Sequence, residues 1–196
     1  MYRAVALKAK EAALDLKDER GLEQLCRSIE IEFRQDESGL RVLCDGEDIT
    51  EDIRRPSTSL LASAISRVGA VRKALLRLQR GFGQKGGVVL EGRDIGTVVF
   101  PRATLKFFLG ADSHVRGLRR YNELKAKGER VDLDETVREL DKRDTDDSTR
   151  ALAPLRKAED AVFIDTSQLT AEDVVEKMIQ IYQERVERVK KPRRDK

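Results

Sequence analysis

The chain has 196 residues, with 39 lysines and arginines against 36 acidic residues and a net charge of +3. This length fits one compact domain, with or without a small insertion, and so balanced a charge does not by itself indicate a nucleic-acid-binding protein. No apolar run approaches the roughly 20 residues of a membrane span, and no basic segment followed by an apolar one indicates secretion. We therefore expect a soluble cytoplasmic protein that binds neither nucleic acid nor membrane.

The sequence has no pattern typical of a metal site or a disulfide framework. Its two cysteines, Cys26 and Cys44, do not have the spacing of metal ligands, and His114 is the one histidine. We predict that both cysteines are reduced thiols and that the protein has no metal-ligating residues.

In the first half of the chain, strand-like alternation stands between helical patterns. Ile29–Arg34 and Leu40–Cys44 alternate apolar and polar residues around the turn Gln35–Gly39, which predicts a β-hairpin, and Asp48–Thr50 is a candidate third strand. Helical periodicity predicts helices at residues 1–17, 22–28, 56–67 and 71–80.

Beyond Gly86, short apolar strands alternate with helices, which predicts a parallel sheet covered on both faces. The strands are predicted at Val88–Leu90, Leu105–Leu109 and Ala161–Ile164. The helices are predicted at residues 113–127, 133–146 and from Thr170, which forms a capping box with Asp173. We expect an α/β core over residues 1–27 and 86–196, interrupted by a small antiparallel insertion over residues 28–85. The basic tail from Arg185 is predicted to be a solvated helix end.

The glycine-rich segment Gly81–Gly86 matches the pattern G-x-G-x-x-G. It follows a predicted helix and precedes a predicted strand, which is the reverse of the order in dinucleotide-binding motifs. We therefore interpret it as a linker. The phosphate-binding pattern G-x-x-x-x-G-K-[ST] does not occur in the sequence.

Two groups combine arginine with aspartate. Arg93 and Asp94 follow the predicted strand at residues 88–90, and α/β proteins bind ligands at the C-terminal ends of parallel strands. Arg143, Asp147 and Arg150 are spaced to share one helix face, which also fits an exposed ion-pair ladder of little energetic value. Because guanidinium groups match phosphate oxygens bidentately, the two groups together indicate a phosphate-bearing ligand.

A further set of arginines lies on the predicted helix 113–127. Arg116, Arg119 and Arg120 can share a face of this helix. Two interpretations stay open, a solvated helix face and a basic flap that covers a polyphosphate.

Three segments carry a family resemblance: EGRDIGTVVFP at residues 91–101, KRDTDDSTRALAPL at residues 142–155 and AVFIDTSQLTAEDVVEKM at residues 161–178. In this order they resemble bacterial cytidylate kinases, which phosphorylate CMP and dCMP from ATP, and the similarity runs along the whole chain. The resemblance implies a monomeric P-loop nucleoside monophosphate kinase that uses ATP and Mg²⁺. Its parallel sheet would be flanked by helices, its antiparallel insertion would close on the monophosphate, and its lid would fall at about residues 113–150.

The resemblance also implies roles for individual residues. It assigns the cytosine base to Ser63, Arg72 and Asp94. It assigns the sugar to Arg143 and Asp147, and the 5′-phosphate to Arg3, Arg93 and Arg150. Arg116 and Arg119 would lie near the transferring phosphoryl group, where with Arg93 they would act as catalytic residues by stabilising its charge.

The chemistry of cytosine fits the implied base-binding residues. The exocyclic amine of cytosine donates hydrogen bonds, which Asp94 and Ser63 can accept, and Arg72 can donate to N3 and O2. Uracil has an oxygen in place of the amine, so Asp94 would face a second acceptor. An unpaired buried polar group of this kind rejects the wrong substrate by up to about 10⁴-fold.

The beginning of the chain departs from the family pattern. Met1-Tyr2-Arg3 resembles the middle of a segment that follows the P-loop in the family, so the resemblance implies that the first core strands and the P-loop are missing from this chain. We then expect exposed sheet edges and low stability. The alternatives are an active kinase whose start was assigned to an internal methionine and a catalytically inactive nucleotide-binding fragment. A nucleic-acid-binding protein acting through the basic tail is a third alternative.

Overall fold

The structure, a computed structural model, describes residues 1–37, 39–84 and 86–190. Ser38 of the predicted turn, Lys85 of the predicted linker and residues 191–196 of the basic tail lie outside the described residues. The chain divides into two compact units, Met1–Leu90 and a second unit that begins at Glu91.

The first unit combines helices with an antiparallel sheet. Its elements in chain order are α1 Tyr2–Glu11, α2 Glu19–Ser28, β1 Ile31–Asp36, β2 Gly39–Cys44, β3 Glu47–Asp48, the 3₁₀ turn Asp52–Arg54, α3 Pro56–Ile65 and α4 Gly69–Gly83. Strand β1 pairs antiparallel with β2, from Ile31 opposite Cys44 to Asp36 opposite Gly39, and β2 pairs antiparallel with β3. The predicted hairpin is therefore confirmed, and the third strand begins one residue earlier and ends two residues earlier than predicted.

Helix α1 ends at Glu11, so the prediction of a helix through residue 17 is wrong. Ala13 adopts a left-handed conformation with φ of 49°. The backbone N–H of Leu14 then donates to the carbonyl of Ala9, and that of Ala13 donates to Lys10. This local hydrogen bonding satisfies the last carbonyls of the helix and stops it, although the apolar pattern continues.

The core of the first unit lies between its helices. Helix α1 packs against α3, and α2 packs against α4. Leu22, Ile65 and Leu75 are fully buried there. Cys26 and Cys44 are free thiols, as predicted, and burial raises the pKa of each to about 11.

The second unit pairs two parallel strands with helices. Its elements are the π-helix Ile95–Val99, β4 Phe107–Gly110, α5 Ser113–Ala126, α6 Leu133–Thr149, β5 Val162–Asp165 and α7 Ala171–Lys190. Strands β4 and β5 run parallel, from Phe107 opposite Val162 to Gly110 opposite Asp165. The protein is thus a mixed α/β protein with a parallel sheet and a small antiparallel sheet. None of the described helices has the length and apolarity that crossing a membrane requires.

The prediction of a strand at Val88–Leu90 is wrong. These residues are irregular in the structure, and Val89 is 95% exposed. An apolar run becomes a strand only where a neighbouring strand accepts and donates its backbone hydrogen bonds, and no described strand pairs with this segment. Arg93 and Asp94 therefore do not follow a strand. They precede the π-helix instead.

The predicted capping box at the start of α7 is confirmed. The hydroxyl and backbone N–H of Thr170 both donate to Asp173 Oδ2, at 2.7 and 2.9 Å, and the Asp173 N–H donates to Thr170 Oγ1 at 3.1 Å. The hydrogen bonds from Thr170 lower the pKa of Asp173. This reciprocal arrangement satisfies two backbone donors of the first helical turn.

The interior of the second unit is unusually polar. Among its described residues, four buried hydrophobic side chains stand beside five buried polar or charged ones, namely Asp94, Lys106, Thr136, Asp147 and Thr166. Lys106 illustrates how such groups are satisfied, because its ammonium donates to Asp160 at 2.8 and 2.9 Å and to the carbonyl of Pro101. Meanwhile Leu109 and Phe163 of the parallel sheet are each about half exposed. Polar and charged groups therefore make up more than half of these described, buried side chains of the second unit.

Replacing Leu75 by alanine should lower the free energy of unfolding by about 2–5 kcal/mol, because deleting a buried leucine leaves a cavity. Leu60→Ala is the matched control, since Leu60 on α3 is 62% exposed and its loss should change stability by no more than about 0.5 kcal/mol. Chemical denaturation of both variants measures the difference. Equal losses would contradict the core described for the first unit.

Candidate functional site

An open cavity in the second unit is lined by four of the arginines that the sequence singles out. Its volume is about 320 Å³, and it is lined by Arg93, Arg116, Arg119, Arg120, Glu123, Leu140 and Asp144. Four arginines against two carboxylates give this cavity an excess of positive charge. Such a cleft attracts anions, because field lines concentrate between low-dielectric walls.

Helices α5 and α6 form two walls of this cavity, and a glycine lets them approach closely. A Cβ atom on Gly117 of α5 would lie 2.2 Å from Cγ2 of Val137 on α6, so any larger residue at this position would force Val137 to move. Each helix begins at an aspartate cap. Asp112 accepts from the N–H groups of His114 and Val115, and Asp132 accepts from Glu135. The close packing brings the charged side chains of α5 within reach of those on α6.

Asp147 of α6 lies at the centre of a group of three arginines. Its Oδ1 accepts from Nη1 of Arg150 at 3.2 Å. Its Oδ2 lies 3.1 Å from Nε of Arg93 and 3.9 Å from Nε of Arg143, distances of ion pairs without hydrogen-bond geometry. The Asp147 side chain is 6% exposed and that of Arg150 is 7% exposed, so their pair is shielded from water. The predicted face of Arg143, Asp147 and Arg150 is therefore partly buried, and the exposed ion-pair ladder is excluded for it.

Asp144, one turn before Asp147, joins the two arginines on either side of the cavity. Its Oδ1 lies 3.5 Å from Nη2 of Arg93, and its Oδ2 contacts Nη1 of Arg116. Arg116 also lies 3.6 Å from Asp141 and donates through Nε to the carbonyl of Ala111 at 3.2 Å. Arg116 is thus held from both sides, by the backbone before α5 and by carboxylates of α6.

Arg119 and Arg120 reach the same cavity but have different partners. Arg119 donates to the carbonyls of Thr166 and Leu169, at 2.6 and 2.9 Å, and so ties α5 to the loop after β5. Arg120 pairs with Glu123 at 2.7 Å, and this hydrogen bond, together with that from Lys127, lowers the pKa of Glu123. The guanidinium of Arg119 therefore has a structural role, in binding the loop after β5, that the sequence did not indicate.

Asp94 is buried and stands at the N-terminal end of the π-helix. Its carbonyl accepts from the N–H groups of Thr97, Val98 and Val99, at 3.3, 2.9 and 3.2 Å. This convergence fixes the backbone of Asp94 beside Arg93, which takes part in the arginine network. The side chains of the two residues therefore start from a rigid backbone, although no strand leads into them.

Arg3, Ser63 and Arg72 belong to the first unit. Arg3 of α1 donates to the carbonyl of Ile53 at 2.8 Å and to Ser59 Oγ of α3 at 3.3 Å. Arg72 of α4 donates to the carbonyl of Ser66 at 3.0 Å and lies over the ring of Tyr2, 5.6 Å from its centroid. The hydroxyl of Ser66, the C-cap of α3, donates to the carbonyl of Ser63 in the last turn of the same helix at 2.7 Å, and the hydrogen bond from Arg72 joins α4 to this helix end. Each of the three predicted residues thus lies on a helix of the first unit and takes part in hydrogen bonds near the ends of helices.

Asp141 and Asp144 contact Arg116, and the sequence prediction included neither of them. Asp141, Asp144 and Asp147 repeat at three-residue intervals along α6. This interval keeps side chains on neighbouring positions of a helix surface. Because α5 carries arginines at a similar interval, the two patterns together could have indicated paired helices.

The described residues contain no cluster of three or more histidine, cysteine, aspartate or glutamate side chains that could hold a metal ion. The charged groups of the cavity instead neutralise one another and leave a surplus of guanidinium donors. Guanidinium groups in this arrangement bind phosphate or carboxylate oxygens.

A mixed α/β fold with an arginine-lined cavity is typical of α/β proteins that bind anionic ligands such as phosphates. Comparison with known proteins narrows this class. The family model described as cytidylate kinase matches residues 1–184. The chain belongs to the cytidylate kinase family, so the resemblance seen in its sequence motifs is confirmed.

Curated relatives agree with the family match. The chain is 54% identical to the cytidylate kinase of Syntrophotalea carbinolica over 185 residues, which cover 94% of this chain and 79% of the relative. It is 51% identical to the cytidylate kinase of Geobacter sulfurreducens over the same shares of both chains. It is 48% identical to that of Pelotomaculum thermopropionicum over 91% of this chain and 80% of the relative.

Replacing Asp147 by asparagine should lower the free energy of unfolding by about 3–5 kcal/mol, because a buried arginine then loses its counter-charge. Asp141→Asn is the matched control on the same helix, since the Asp141 side chain is 49% exposed and exposed pairs contribute at most about 1 kcal/mol. Urea denaturation compares the two variants with the unmodified protein. A loss in Asp147→Asn no larger than in the control would show that the arginine group does not depend on this carboxylate.

Proposed function

We propose that the protein is a cytidylate kinase that transfers the γ-phosphoryl group of ATP to CMP or dCMP, giving CDP or dCDP. It would act in pyrimidine nucleotide metabolism as a cytoplasmic monomer. The observation that carries this proposal is the cavity in the second unit, where Arg93, Arg116, Arg119 and Arg120 surround space for an anion in a chain of the cytidylate kinase family.

Eight side chains would bind the acceptor nucleotide. In this proposal Ser63, Arg72 and Asp94 bind the base, Arg143 and Asp147 bind the sugar, and Arg3, Arg93 and Arg150 bind the 5′-phosphate. The buried position of Asp94 supports the base-reading role, since a carboxylate removed from water discriminates strongly between a donor and an acceptor.

Phosphoryl transfer would depend on positioning and electrostatics. Arg93, Arg116 and Arg119 are the proposed catalytic residues. Negative charge spreads over the equatorial oxygens of the transferring group, and fixed guanidinium groups stabilise it without having to reorganise. Arg116 fits this role because contacts on two sides hold its guanidinium at the cavity.

ATP and Mg²⁺ are the proposed donor and cofactor. The arginines of the cavity fit a polyphosphate, because each offers a planar fork of donors to phosphate oxygens. Mg²⁺ would neutralise charge on the phosphates; in phosphate-transferring sites it is bound mostly by phosphate oxygens, water and one or two carboxylates. No described residue is assigned to it.

The domain arrangement follows from the same proposal. Residues 28–85 would be the insertion that binds the monophosphate, and residues 1–27 with 86–196 would be the core. Residues 113–150, which include α5 and α6, would be the lid. The antiparallel strands β1–β3 within the insertion and the paired helices within the lid support this assignment.

Formation of ADP from ATP, Mg²⁺ and CMP should be detected in a coupled assay of the protein, with turnover of CMP and dCMP well above that of UMP and AMP. Calorimetric titration with CMP is run in parallel. Binding of CMP without turnover would favour the inactive nucleotide-binding fragment. The proposed function would be refuted if the protein neither bound CMP nor turned it over.

Asp94→Asn should lower kcat/KM for CMP by about 100-fold or more and narrow its advantage over UMP by at least about tenfold, because an amide can donate to the uracil oxygen. Steady-state kinetics with both nucleotides measure the ratio. Glu91→Ala, a change at the exposed carboxylate three residues earlier, should leave that ratio unchanged. An unaltered ratio in Asp94→Asn would remove the base-reading role.

A further inference from the structure

Two arginines from different elements meet at one carboxylate in the second unit. Arg93 precedes the π-helix and Arg116 lies in the first turn of α5. Both contact Asp144 of α6, each through a different carboxylate oxygen. The three side chains line the same cavity.

Without a shared counter-charge, these two guanidinium groups would repel each other. A partly shielded site screens the repulsion between like charges less than bulk water does. The Asp144 side chain is 22% exposed, so solvent screens it less than it screens an ordinary surface carboxylate. Its bridging contact offsets the repulsion and fixes both arginines toward the cavity.

The neighbouring carboxylates of α6 do not have this position. Asp141 contacts Arg116 at 3.6 Å and accepts from the hydroxyl of Ser113, and it does not line the cavity. Asp147 contacts Arg93 and belongs to the group around Arg150. Among the residues that the structure describes, ion pairs to both Arg93 and Arg116 are made by Asp144.

We infer that Asp144 is a positioning residue, which holds Arg93 and Arg116 as an aligned pair for one phosphoryl-bearing ligand. Asp144 does not itself bind the ligand, since its negative charge would repel phosphate. The inference rests on the proposed function in so far as that ligand is a nucleotide. It goes further by giving a role to an acidic residue in a cavity that binds anions.

Simple electrostatics and positioning predict opposite results for one substitution. Asp144→Asn removes a negative charge from the cavity, so charge alone predicts tighter anion binding. Positioning predicts weaker binding, because the two guanidinium groups separate and no longer contact one anion together. Inorganic pyrophosphate is a suitable probe, and we expect its Kd, measured calorimetrically, to rise by about threefold or more in Asp144→Asn.

Kinetics supply a second measurement. With ATP and CMP, Asp144→Asn should lower kcat by about tenfold to 100-fold and change the KM for CMP by less than about threefold, because misalignment affects the transition state more than ground-state binding. Asp144→Glu keeps the charge and should recover most of the lost kcat. Glu139→Gln, a control at an exposed carboxylate of the same helix, should stay within about twofold of the unmodified protein in Kd and kcat.

A double substitution separates positioning from a general structural effect. If Asp144 acts through Arg116, then Asp144→Asn should lower kcat much less in an Arg116→Lys background than in the unmodified protein, since interacting sites are not additive. Thermal unfolding checks that every variant is folded. Should Asp144→Asn unfold, Asp144→Ser takes its place in the pyrophosphate titration and in the double substitution.

The outcomes distinguish this inference from the proposed function. Pyrophosphate binding by Asp144→Asn that is unchanged or tighter overturns the positioning role, whatever the activity. A protein that binds pyrophosphate but does not phosphorylate CMP contradicts the proposed function, and the binding comparison still tests Asp144. Fully additive effects of the two substitutions would also overturn the inference.

Discussion

The carboxylate of Asp147, shielded from water among Arg93, Arg143 and Arg150, is the interaction on which the candidate site depends. A charge in this position is tolerated only because guanidinium groups surround it. The same pairing connects the segment before the π-helix, the end of α6 and the chain beyond it, where Arg150 donates to the carbonyl of Ala153 at 2.8 Å. One carboxylate thus connects three segments of the second unit, and one of its partners, Arg93, also lines the cavity.

The two units are stabilised in different ways. The first has a conventional core in which Leu22, Ile65 and Leu75 are fully buried. The second buries several polar groups, including Lys106 and Asp147, and satisfies them by ion pairs and hydrogen bonds. Paired charges specify geometry well and contribute less net stability than apolar contacts of similar size. This division suits a protein in which one unit must present charged groups at fixed positions.

Local patterns in the sequence were sufficient to predict most helices, the hairpin and the capping box at Thr170. They failed at Val88–Leu90, because an apolar run does not tell whether another strand lies beside it. Spacing alone indicated that Arg143, Asp147 and Arg150 share a face, but not that this face is partly buried. The partners of Arg119 could not be predicted, since the carbonyls of Thr166 and Leu169 lie 47 and 50 residues beyond it in the sequence. The roles proposed for the site residues come from the family resemblance, because spacing alone does not assign them.

The contacts that hold Arg116 have a consequence for conformational entropy. A free arginine side chain loses up to about 2 kcal/mol of rotamer freedom when it is fixed. Asp144 and the carbonyl of Ala111 restrict Arg116 before any ligand arrives, so this loss occurs during folding and no longer weakens association. The carboxylate also cancels part of the attraction that would draw an anion toward the cavity. The cavity therefore attracts anions less strongly at long range, and the side chain of Arg116, which would contact the anion, is more rigid.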